Sequence, residues 1–425
     1  MKNCARCSTQ GDVIGPAEVE GCLSISRIAA GMHPPDAETV LVRHGELGVK
    51  SDQVRIKMER QLRGHIDALF RDRSISGRIW TERNRIYIET ERVEDATEAA
   101  TDAFGVVSAS PAVRVEPRLD AILEAMRRAT EKTYDGGTFA VRARRAGPAD
   151  AHSFSSTDLE RKGGAAVGGA IESLGEEAVV DLDDPDFTVF VECRPDKAFV
   201  FLEKRDGPGG LPLGSQRPLV ALISGGHDSP VAAWEAMRRG SPIVPLYVDL
   251  GDFGGADHRA RAVATADRLA ELAPQYDMRL RVAPAAELVA DLMATVEATR
   301  MLSLRRAMLA VAEQVADDHD AVGIVTGESI GQKSSQTTAN LAVTDAATDL
   351  PVHRPLVTTD KTDILERARE LGTYEDTSIP AGCNRVAPDH PETNATVEAV
   401  ERAEPDGLFE RARAIADDRT VVGRE

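Results

Sequence analysis

The sequence predicts an α/β protein of several domains, with a doubly wound parallel sheet in its C-terminal half. First, an apolar run of strand length, Leu219 to Ile223, leads into Ser-Gly-Gly-His-Asp-Ser and then into an alanine-rich segment of helical composition. Second, apolar strands and helical segments keep alternating after Arg217. Third, a length of 425 residues is usual for about two to four domains.

Before that sheet, the sequence predicts two small α/β units. The first has a strand, an amphipathic helix, a hairpin, a second helix and a closing strand, and this β-α-β-β-α-β order is ferredoxin-like. Its predicted elements are 39–43, 53–70, 78–80, 85–89, 93–104 and 112–115. The second unit has predicted elements at 119–133, 138–144, 157–174, 187–192 and 198–203.

Turn residues and the lack of a period predict the remaining boundaries. Asp206-Gly-Pro-Gly-Gly-Leu-Pro212 is typical of a linker. The first 36 residues have no helical or strand period and no signal-peptide apolar core, so we expect a flexible leader there. The predicted domains are a leader at 1–36, a ferredoxin-like domain at 37–110, a second domain at 111–206, a doubly wound domain at 207–400 and an acidic C-terminal tail at 401–425.

The composition bounds the class of protein. A formal net charge of −19, with 9 lysines beside 42 arginines, is typical of a protein that stays soluble in concentrated salt, and an ordinary acidic cytosolic protein is the alternative. No apolar run approaches the ~20 residues that cross a bilayer, so we expect no membrane partner. Five widely spaced cysteines do not suggest a disulfide framework, which favours a cytoplasmic location. Cys4-x-x-Cys7 leaves a metal ion or an iron–sulfur cluster open, but a lone pair is a weak signal.

Basic residues concentrate in the N-terminal units. The stretch from Arg43 to Arg85 holds eleven basic and six acidic side chains, a net charge of +5 inside an acidic chain. A further basic group consists of Arg142, Arg144, Arg145, Arg161 and Lys162. These arginines are candidate contacts for a nucleic-acid backbone because a guanidinium pairs with phosphate in a bidentate manner. The alternative is a solvated, arginine-rich surface.

The turn that follows Ile223 predicts a phosphate site. Its paired glycines let backbone N–H groups approach a phosphate, and the helix that follows adds the partial positive charge of its N-terminus. The spacing differs from that of an ordinary P-loop and from a dinucleotide fold, so it indicates a pyrophosphatase-type loop, or PP-loop. In such a loop Asp228 could hold Mg²⁺, and Ser224 and Ser229 could bond phosphate oxygens. The alternative is a tight turn of an ordinary α/β sheet.

Later strands predict the rest of a nucleotide cleft. Tyr247 and Val248 end the second strand, where ligands of such sheets bind, although both can equally be core residues. A predicted strand at 321–327 leads into a second turn, Gly327 to Thr337, which is rich in glycine, hydroxyl and amide groups. This second turn can face the first turn across the cleft and close over a nucleotide. The alternative is a polar surface loop.

Two reactive side chains follow. Lys361 lies in the predicted first turn of a helix, where a cation does not help the helix, and this favours an anionic neighbour. Cys383 lies on a predicted loop beside Arg385, and a positive neighbour raises the thiolate fraction that a sulfur nucleophile needs. An inert buried thiol is the alternative for Cys383. For Cys193, at the end of a predicted strand, a structural role is simpler.

Four motifs occur in the order Ser224-Gly-Gly-His-Asp-Ser-Pro-Val-Ala, Thr326-Gly-Glu-Ser-Ile-Gly-Gln-Lys-Ser-Ser-Gln-Thr, Arg354-Pro-Leu-Val-Thr-Thr-Asp-Lys and Cys383-x-x-x-Ala-Pro. In this order they resemble the tRNA 4-thiouridine synthetase (tRNA uracil 4-sulfurtransferase) family. The second motif is the most specific. The resemblance implies that the second domain is a THUMP RNA-binding domain and that the doubly wound domain is a PP-loop ATP pyrophosphatase. With the composition, it points to a halophilic archaeon.

The resemblance also implies roles for individual residues. Asp228 becomes indispensable for adenylation, Lys361 falls on an active-site lysine, and Cys383 carries or receives the transferable sulfur. With the loop residues Ser224, Gly225, Gly226 and Ser229, the implied ATP contacts are Leu222, Ile223, Tyr247, Val248, Arg305, Gly327 and Gln336.

The implied reaction is ATP-dependent replacement of uridine O4 by sulfur at position 8 of tRNA, with ATP and Mg²⁺ as cofactors. Some family members carry a rhodanese domain that relays sulfur, but here the sequence runs for 42 residues past Cys383 without another cysteine. We therefore expect sulfide or an external persulfide donor, such as a cysteine desulfurase. A homodimer is open. Alternatives are another tRNA-thiolating PP-loop enzyme, an RNA-binding module with a decayed ATP site, and sulfur delivery in thiamine thiazole synthesis.

Overall fold

Two β-sheets organise the part of the chain that the computed structural model describes, which comprises residues 32–45, 51–82, 85–374 and 385–423. Cys4, Cys7 and Cys22 lie outside these ranges, so the prediction of a metal or cluster in the leader stays a prediction. Cys383 also lies outside them. Within the described ranges, the helices lack the length and apolar composition that crossing a lipid bilayer requires.

The N-terminal half forms one mixed sheet of eight strands with its helices. Its elements are β1 (Thr39–His44), α1 (Asp52–Asp72), β2 (Arg78–Glu82), β3 (Arg85–Glu89), α2 (Val93–Asp102), β4 (Val106–Val115), α3 (Leu119–Thr133), β5 (Phe139–Arg145), α4 (Ser156–Ser173), β6 (Phe187–Arg194), β7 (Lys197–Phe201) and β8 (Arg205–Asp206). The strand order is β2-β3-β1-β4-β7-β6-β5, and β8 pairs with β4. The predicted ferredoxin-like element order is confirmed.

The two predicted N-terminal units share this sheet. Strand β4 pairs with β1 on one side and with β7 on the other, so that Ala112 lies opposite both Thr39 and Phe201. This double pairing needs a long strand, and β4 begins at Val106 instead of the predicted Ala112. Alternating residues separate the faces: Val40 and Val42 pack under α1 and α2, whereas Leu41 contacts a cluster on the other face.

The C-terminal half is the predicted doubly wound domain. Its elements are β9 (Leu219–Leu222), α5 (Asp228–Arg238), β10 (Ile243–Asp249), α6 (Ala256–Glu271), β11 (Leu280–Pro284), α7 (Ala286–Thr295), α8 (Arg300–Asp318), β12 (Ile324–Val325), α9 (Thr338–Asp345), β13 (Val352–His353), α10 (Lys361–Glu370), α11 (Val397–Ala403), α12 (Leu408–Asp417) and β14 (Thr420–Val422). The order is β13-β12-β9-β10-β11-β14, and only β14 runs antiparallel to its neighbour among these strands. Helices α5, α6 and α10 cover one face, and α7, α8 and α12 cover the other.

Three sequence predictions differ from the structure in this half. The strand predicted at 321–327 is only Ile324–Val325, and the N–H of Thr326 makes one more hydrogen bond, to the carbonyl of His353, before the chain enters the second turn. The expected tail at 401–425 instead packs into the domain, where β14 extends the sheet and buried residues of α12 contact α8. The expected linker is also packed: Leu211 is 8% exposed, and its N–H donates to the carbonyl of Arg238.

The two halves are joined through α1 and α5. The imidazole of His65 in α1 is 1% exposed, lies 2.8 Å from the carbonyl oxygen of Leu272 through Nε2 and stacks on Phe104. Phe104 in turn packs against Trp234 of α5, with ring centroids 6.0 Å apart. The N-terminal sheet is therefore anchored on the helix that follows the first glycine turn.

Titration of His65 should couple this interface to pH. Burial, only partly offset by the Leu272 carbonyl, lowers the pKa of His65 to about 4. The unfolded chain therefore binds a proton between pH 6.5 and 4 that the folded chain rejects, so stability falls as pH decreases through this range, by up to roughly 1.4 kcal/mol per pH unit. Denaturant unfolding at pH 7, 6 and 5 should show a shallower pH slope in His65→Gln. An unchanged slope would show that His65 binds its proton equally well in the folded and the unfolded chain.

Candidate active site

The first glycine turn folds around two serine hydroxyls. Ser229 Oγ accepts a hydrogen bond from the backbone N–H of Ser224 at 2.8 Å and lies 3.0 Å from Ser224 Oγ. The N–H of Gly226 donates to Ser224 Oγ at 3.2 Å. Helix α5 begins directly after the turn, and its first N–H groups have no partner within the helix. The turn is thus held by its own side chains and presents a helix N-terminus suited to an anion.

Close backbone contacts fix where the turn lies. A Cβ atom on Gly225 would lie 2.6 Å from Nδ1 and 3.0 Å from the carbonyl oxygen of His258 in α6. On the other side, a Cβ atom on Gly327 of the second turn would lie 2.7 Å from the backbone N of Ser229. The distances of 2.6 and 2.7 Å are shorter than real Cβ contacts, so glycine is required at these two positions. The two glycine turns touch, as the sequence predicts that they can.

Between the turns lies a cavity of about 240 Å³. It opens at the carboxyl ends of β9 and β10, where parallel sheets bind ligands. All predicted site residues except Lys361 and Cys383 line it: Leu222, Ile223, Ser224, Gly225, Gly226, Asp228, Ser229, Tyr247, Val248, Arg305, Gly327 and Gln336. Burial, and then Asp249, raises the pKa of Tyr247 to about 12, so its phenol stays neutral. The structure thus gathers these residues, whereas their individual roles stay predictions.

One face of α8 forms the apolar wall of the cavity, and sequence reasoning did not assign it. Met301, Leu304, Arg305 and Met308 line the cavity together. The spacing i, i+3, i+4 and i+7 places them on one helical face, so the position of Arg305 was the signal that could have found the others. His258, Glu328 and Lys333 are polar lining residues that were also missed. For them, the local sequence carries no comparable periodic signal.

Arg305 is fixed at the edge of the second turn. Its Nε donates to Ser335 Oγ at 3.0 Å, and its Nη1 donates to the carboxylate of Glu328. With the side-chain amide of Gln336 oriented so that its oxygen faces Arg305, that oxygen accepts from Nη2 at 3.3 Å. All three nitrogen atoms of the guanidinium are therefore held in defined directions beside the cavity.

Lys361 reaches the first turn from a neighbouring helix. Its Nζ lies 2.5 Å from Oδ1 of Asp228, and both side chains are partly exposed. Lys361 is the first residue of α10 and Asp228 the first of α5, so the ion pair joins two helix N-termini. The anionic neighbour expected for this lysine is thus Asp228. Since Asp228 also lines the cavity, the pair brings both charges to its mouth.

His227 connects the turn to the segment that precedes Cys383. Its ring stacks on Tyr374, with centroids 4.8 Å apart, and the guanidinium of Arg369 lies 4.4 Å from the Tyr374 ring centre. Burial, and then the charge of Lys361, lowers the pKa of His227, so its imidazole is neutral at pH 7. Arg385, on the far side of the undescribed segment 375–384, donates from Nη1 to the carbonyl of Asp252 at 3.4 Å.

Of the described residues that line the cavity, two carry carboxylates: Asp228, and Glu328, which is paired with Arg305. Among the described residues, no three His, Cys, Asp or Glu side chains gather into a metal-binding group. Asp228 at the cavity edge fits Mg²⁺ nevertheless, because Mg²⁺ in nucleotide sites is held by one or two carboxylates together with phosphate oxygens. The predicted Mg²⁺ role of Asp228 is compatible with this arrangement and stays a prediction.

The predicted nucleic-acid contacts are only partly accessible. Arg145 donates to the carbonyl of Phe154, whereas Arg161, 3.9 Å from Asp158, keeps 72% of its side chain exposed. Arg43 donates to Ser110 Oγ at 2.8 Å, and burial, followed by the charge of Arg85, lowers its pKa to about 10. These contacts show that several of the predicted basic residues serve the fold.

The sheet face opposite α1 to α4 nevertheless holds an excess of positive charge. Arg85 and Arg194 both donate to Glu192, at 3.0 and 2.8 Å. We call the set Arg43, Arg85, Arg144, Arg194 and Lys204 the arginine cluster; it holds five cations around Glu192. Five aromatic rings share this face: Trp80, Tyr87, Phe190, Phe199 and Phe201. Tyr87, Phe199 and Phe201 are buried, and the nitrogen of Lys204 lies 4.3 Å from the Phe190 ring centre.

Comparisons with protein-family models find matches for three regions of the chain. Residues 214–408 match "Thiamine biosynthesis protein (ThiI)", residues 39–110 match "ThiI ferredoxin-like domain", and residues 116–203 match "THUMP domain".

Curated relatives extend over nearly the whole chain. A "Probable tRNA sulfurtransferase" of Halobacterium salinarum is 57% identical over 92% of this chain and 99% of its own length. One from Methanosarcina acetivorans is 38% identical over 85% of this chain and 87% of its own length. A "tRNA sulfurtransferase" of Thermoplasma volcanium is 32% identical over 89% and 77%, respectively.

Solved structures show the same architecture. The "Crystal structure of a 4-thiouridine synthetase - RNA complex with bound ATP" superimposes with a TM-score of 0.77 at 27% identity, covering 91% of this chain and 99% of that one. A protein from Pyrococcus horikoshii superimposes with a TM-score of 0.62 at 23% identity, over 79% of this chain and 99% of that chain. This second similarity concerns the fold alone.

The contact between the two turns can be tested by substitution. In Gly327→Ala the added methyl group meets the backbone of Asp228 and Ser229, which cannot move as a flexible side chain can. We expect ATP affinity to fall at least tenfold and the melting temperature to drop by several degrees. Isothermal titration calorimetry and thermal melts measure both.

The matched control is Gly164→Ala in α4, where an added Cβ meets nothing within 4 Å. It should keep wild-type ATP affinity and lose no stability. Wild-type affinity in Gly327→Ala would mean that the turns do not touch as described.

Proposed function

Because the chain belongs to the thiamine biosynthesis protein (ThiI) family, we propose that it is a tRNA sulfurtransferase that uses ATP to convert a uridine of tRNA into 4-thiouridine. The observation that carries the proposal is the convergence of both glycine turns on one cavity, with Asp228 and Lys361 paired at its mouth. We propose position 8 of tRNA as the modified base, because the motifs resemble those of a family in which the base at that position is modified. The bound ATP and RNA named for the similar solved structure support the same substrates.

In the first step, the uracil O4 attacks the α-phosphorus of ATP and pyrophosphate leaves. The backbone N–H groups of the first turn and the N-terminus of α5 stabilise the departing charge. The ammonium of Lys361, which forms an ion pair with Asp228 in the structure, supplies a further positive charge. Mg²⁺, held by Asp228 when bound, would neutralise phosphate charge.

In the second step, sulfur replaces the activated oxygen. In the first step, N3 loses its proton and O4 becomes bonded to the phosphorus of AMP. O4 alone is a poor leaving group, whereas AMP is a good one. A sulfide or persulfide sulfur then forms a bond to C4, the C4–O4 bond breaks, and AMP departs with O4. For a persulfide, the S–S bond must also be cleaved by a second thiol or a reductant. We propose Cys383 as the residue that carries or receives this sulfur.

The adenine ring has an apolar site beside the phosphate turn. Ile223, Val248 and the Met301, Leu304 and Met308 face of α8 line the cavity together with the glycine turns. A flat, largely apolar base fits such a wall, whereas the triphosphate fits the polar side. This separation of apolar and polar walls supports a nucleoside triphosphate over a smaller phosphate ester.

For the RNA, we propose that Arg144 and Lys204, the exposed members of the arginine cluster, contact the phosphate backbone. The five cations of the cluster face one carboxylate, Glu192. Unbalanced positive charge of this kind is stabilised by an anionic ligand. Because α5 joins this sheet to the first turn, RNA held there has a fixed relation to the cavity.

The remaining partners are proposals from the sequence. We propose sulfide or an external persulfide donor such as a cysteine desulfurase as the sulfur source, the cytoplasm as the compartment, and a homodimer as a candidate assembly. A donor protein would have to deliver sulfur to the same edge of the sheet as ATP.

The activity is tested with purified protein, unmodified tRNA, MgATP and sulfide. We expect absorbance of 4-thiouridine to rise in proportion to AMP release. Asp228→Asn should reduce both at least 100-fold, because it removes the carboxylate between the turn and Lys361. With a persulfide donor in place of sulfide, Cys383→Ser should block sulfur transfer while adenylation continues. Release of AMP with wild-type protein and no 4-thiouridine would reject the proposed function.

RNA binding is tested by salt dependence. Arg144→Ala and Lys204→Ala should each weaken tRNA binding about three- to tenfold and reduce the slope of log affinity against log salt by about one. The control is Lys132→Ala in α3, an exposed lysine on the helix-covered side, which should leave the slope unchanged. Fluorescence anisotropy between 0.1 and 1 M KCl measures these slopes. Equal effects of the three variants would remove the arginine cluster from the RNA interface.

A further inference from the structure

The acidic residue of the second turn, Glu328, has no role in the chemistry described above, yet it is one of the most confined charges in the protein. It is 5% exposed and lines the cavity wall. Oε2 accepts from Thr326 Oγ1 at 3.1 Å and from Nε of Arg354 at 2.8 Å, and Oε1 accepts from Nη1 of Arg305. A carboxylate buried in this way is costly unless it is paired.

The pairing keeps Glu328 ionised. Burial alone would raise the pKa of its carboxyl, but the guanidiniums of Arg305 and Arg354 outweigh burial and lower the pKa below its usual range. Arg354 is held on its other side by Asp345, whose Oδ1 accepts from Nη2 at 2.6 Å. Two carboxylates and two guanidiniums thus form a neutral chain, and Arg305 at one end of that chain also lines the cavity.

We propose that Glu328 is a positioning residue that holds the guanidinium of Arg305 in the direction needed to bind the nucleotide phosphates. The inference rests on the proposed function because it takes the cavity as the ATP site. Glu328 is itself an anion and repels phosphate, so its benefit to binding must act through Arg305. Without it, Arg305 keeps only neutral acceptors, Ser335 and Gln336, and regains rotamer freedom that binding must remove.

The same carboxylate links Arg305 to the approach of Lys361. Arg354 precedes the segment that ends at Lys361, and this segment bonds to the second turn, since the N–H of Ile330 donates to the carbonyl of Val357 at 3.1 Å. Glu328 therefore contacts Arg305 and, through Arg354, the segment that leads to Lys361. Its effect on Arg305 is direct, through a hydrogen bond, whereas its effect on Lys361 passes through Arg354 and the six residues between Arg354 and Lys361.

The test measures MgATP binding by calorimetry, without tRNA or sulfide. Glu328→Gln keeps the size of the side chain and removes its charge, and we expect MgATP affinity to fall about tenfold. In steady state, KM for ATP should rise by a similar factor while kcat of AMP release changes less than threefold. Glu328→Asp restores the charge at a shorter reach and should recover part of the affinity.

The matched control is Asp345→Asn, which makes the same change of carboxylate to amide at the other end of the chain of charges. Asp345 does not line the cavity, and its variant should keep wild-type MgATP affinity within twofold. Equal losses in both variants would show that the charges only stabilise the fold and would overturn the proposal. So would a lower melting temperature of Glu328→Gln with unchanged MgATP affinity.

A double-mutant cycle decides whether Glu328 acts through Arg305. Arg305→Gln should weaken MgATP about tenfold, and adding Glu328→Gln in that background should change affinity less than twofold further. If the losses of MgATP affinity from the two single substitutions multiply in the double variant, the proposal is overturned. If Glu328→Gln does not fold, the cycle is run with Glu328→Asp. Coupling in this cycle without formation of 4-thiouridine by the wild-type protein would reject the proposed function and leave the role of Glu328 standing.

Discussion

The structure of the site depends on one close contact, between Gly327 of the second turn and the backbone of Asp228 and Ser229 in the first. The two turns follow different strands, β9 and β12, and these strands pair directly in the parallel sheet. Their contact leaves a cavity on the side of β10 and α8. A larger residue at 327 would separate the walls on which every proposed ATP contact depends. The same contact places the start of α5, and so Asp228, within reach of Lys361.

The helix α5 gives the two halves of the protein a common element. Its first residue, Asp228, lies at the cavity, and near its other end Trp234 packs on Phe104 while the Arg238 carbonyl accepts from Leu211. Since the segment of Leu211 continues from the N-terminal sheet, there is no loose tether between the proposed RNA face and the ATP site. Rigid attachment suits an enzyme that acts on one base of a large, folded RNA, because shape recognition requires a fixed distance between contact and reaction.

Much of the fold could be predicted because its signals are local. Helix α3 has the predicted bounds, 119–133, and β9 falls within the apolar run before the first turn, since periodicity and turn residues act over short distances. The merging of both N-terminal units into one sheet could not be predicted, because the pairing of Ala112 with Phe201 joins residues far apart in sequence. For the same reason β14 was taken as part of a tail, although Val422 pairs with Leu280. At the site, the turns could be predicted because glycine and serine are typical of phosphate-binding turns. The role of Glu328 could not, because it depends on contacts with Arg305 and Arg354, which only the fold brings together.

The central claim is that one cavity joins AMP to an RNA base before sulfur arrives, and a labelling experiment tests it most directly. Wild-type protein is mixed with unmodified tRNA and [α-³²P]ATP in the absence of any sulfur donor, quenched within one turnover and separated on a gel. The account predicts that label moves from ATP to tRNA in step with pyrophosphate release and returns as AMP when sulfide is added. Label recovered as ADP, or AMP formed equally well without tRNA, would contradict it.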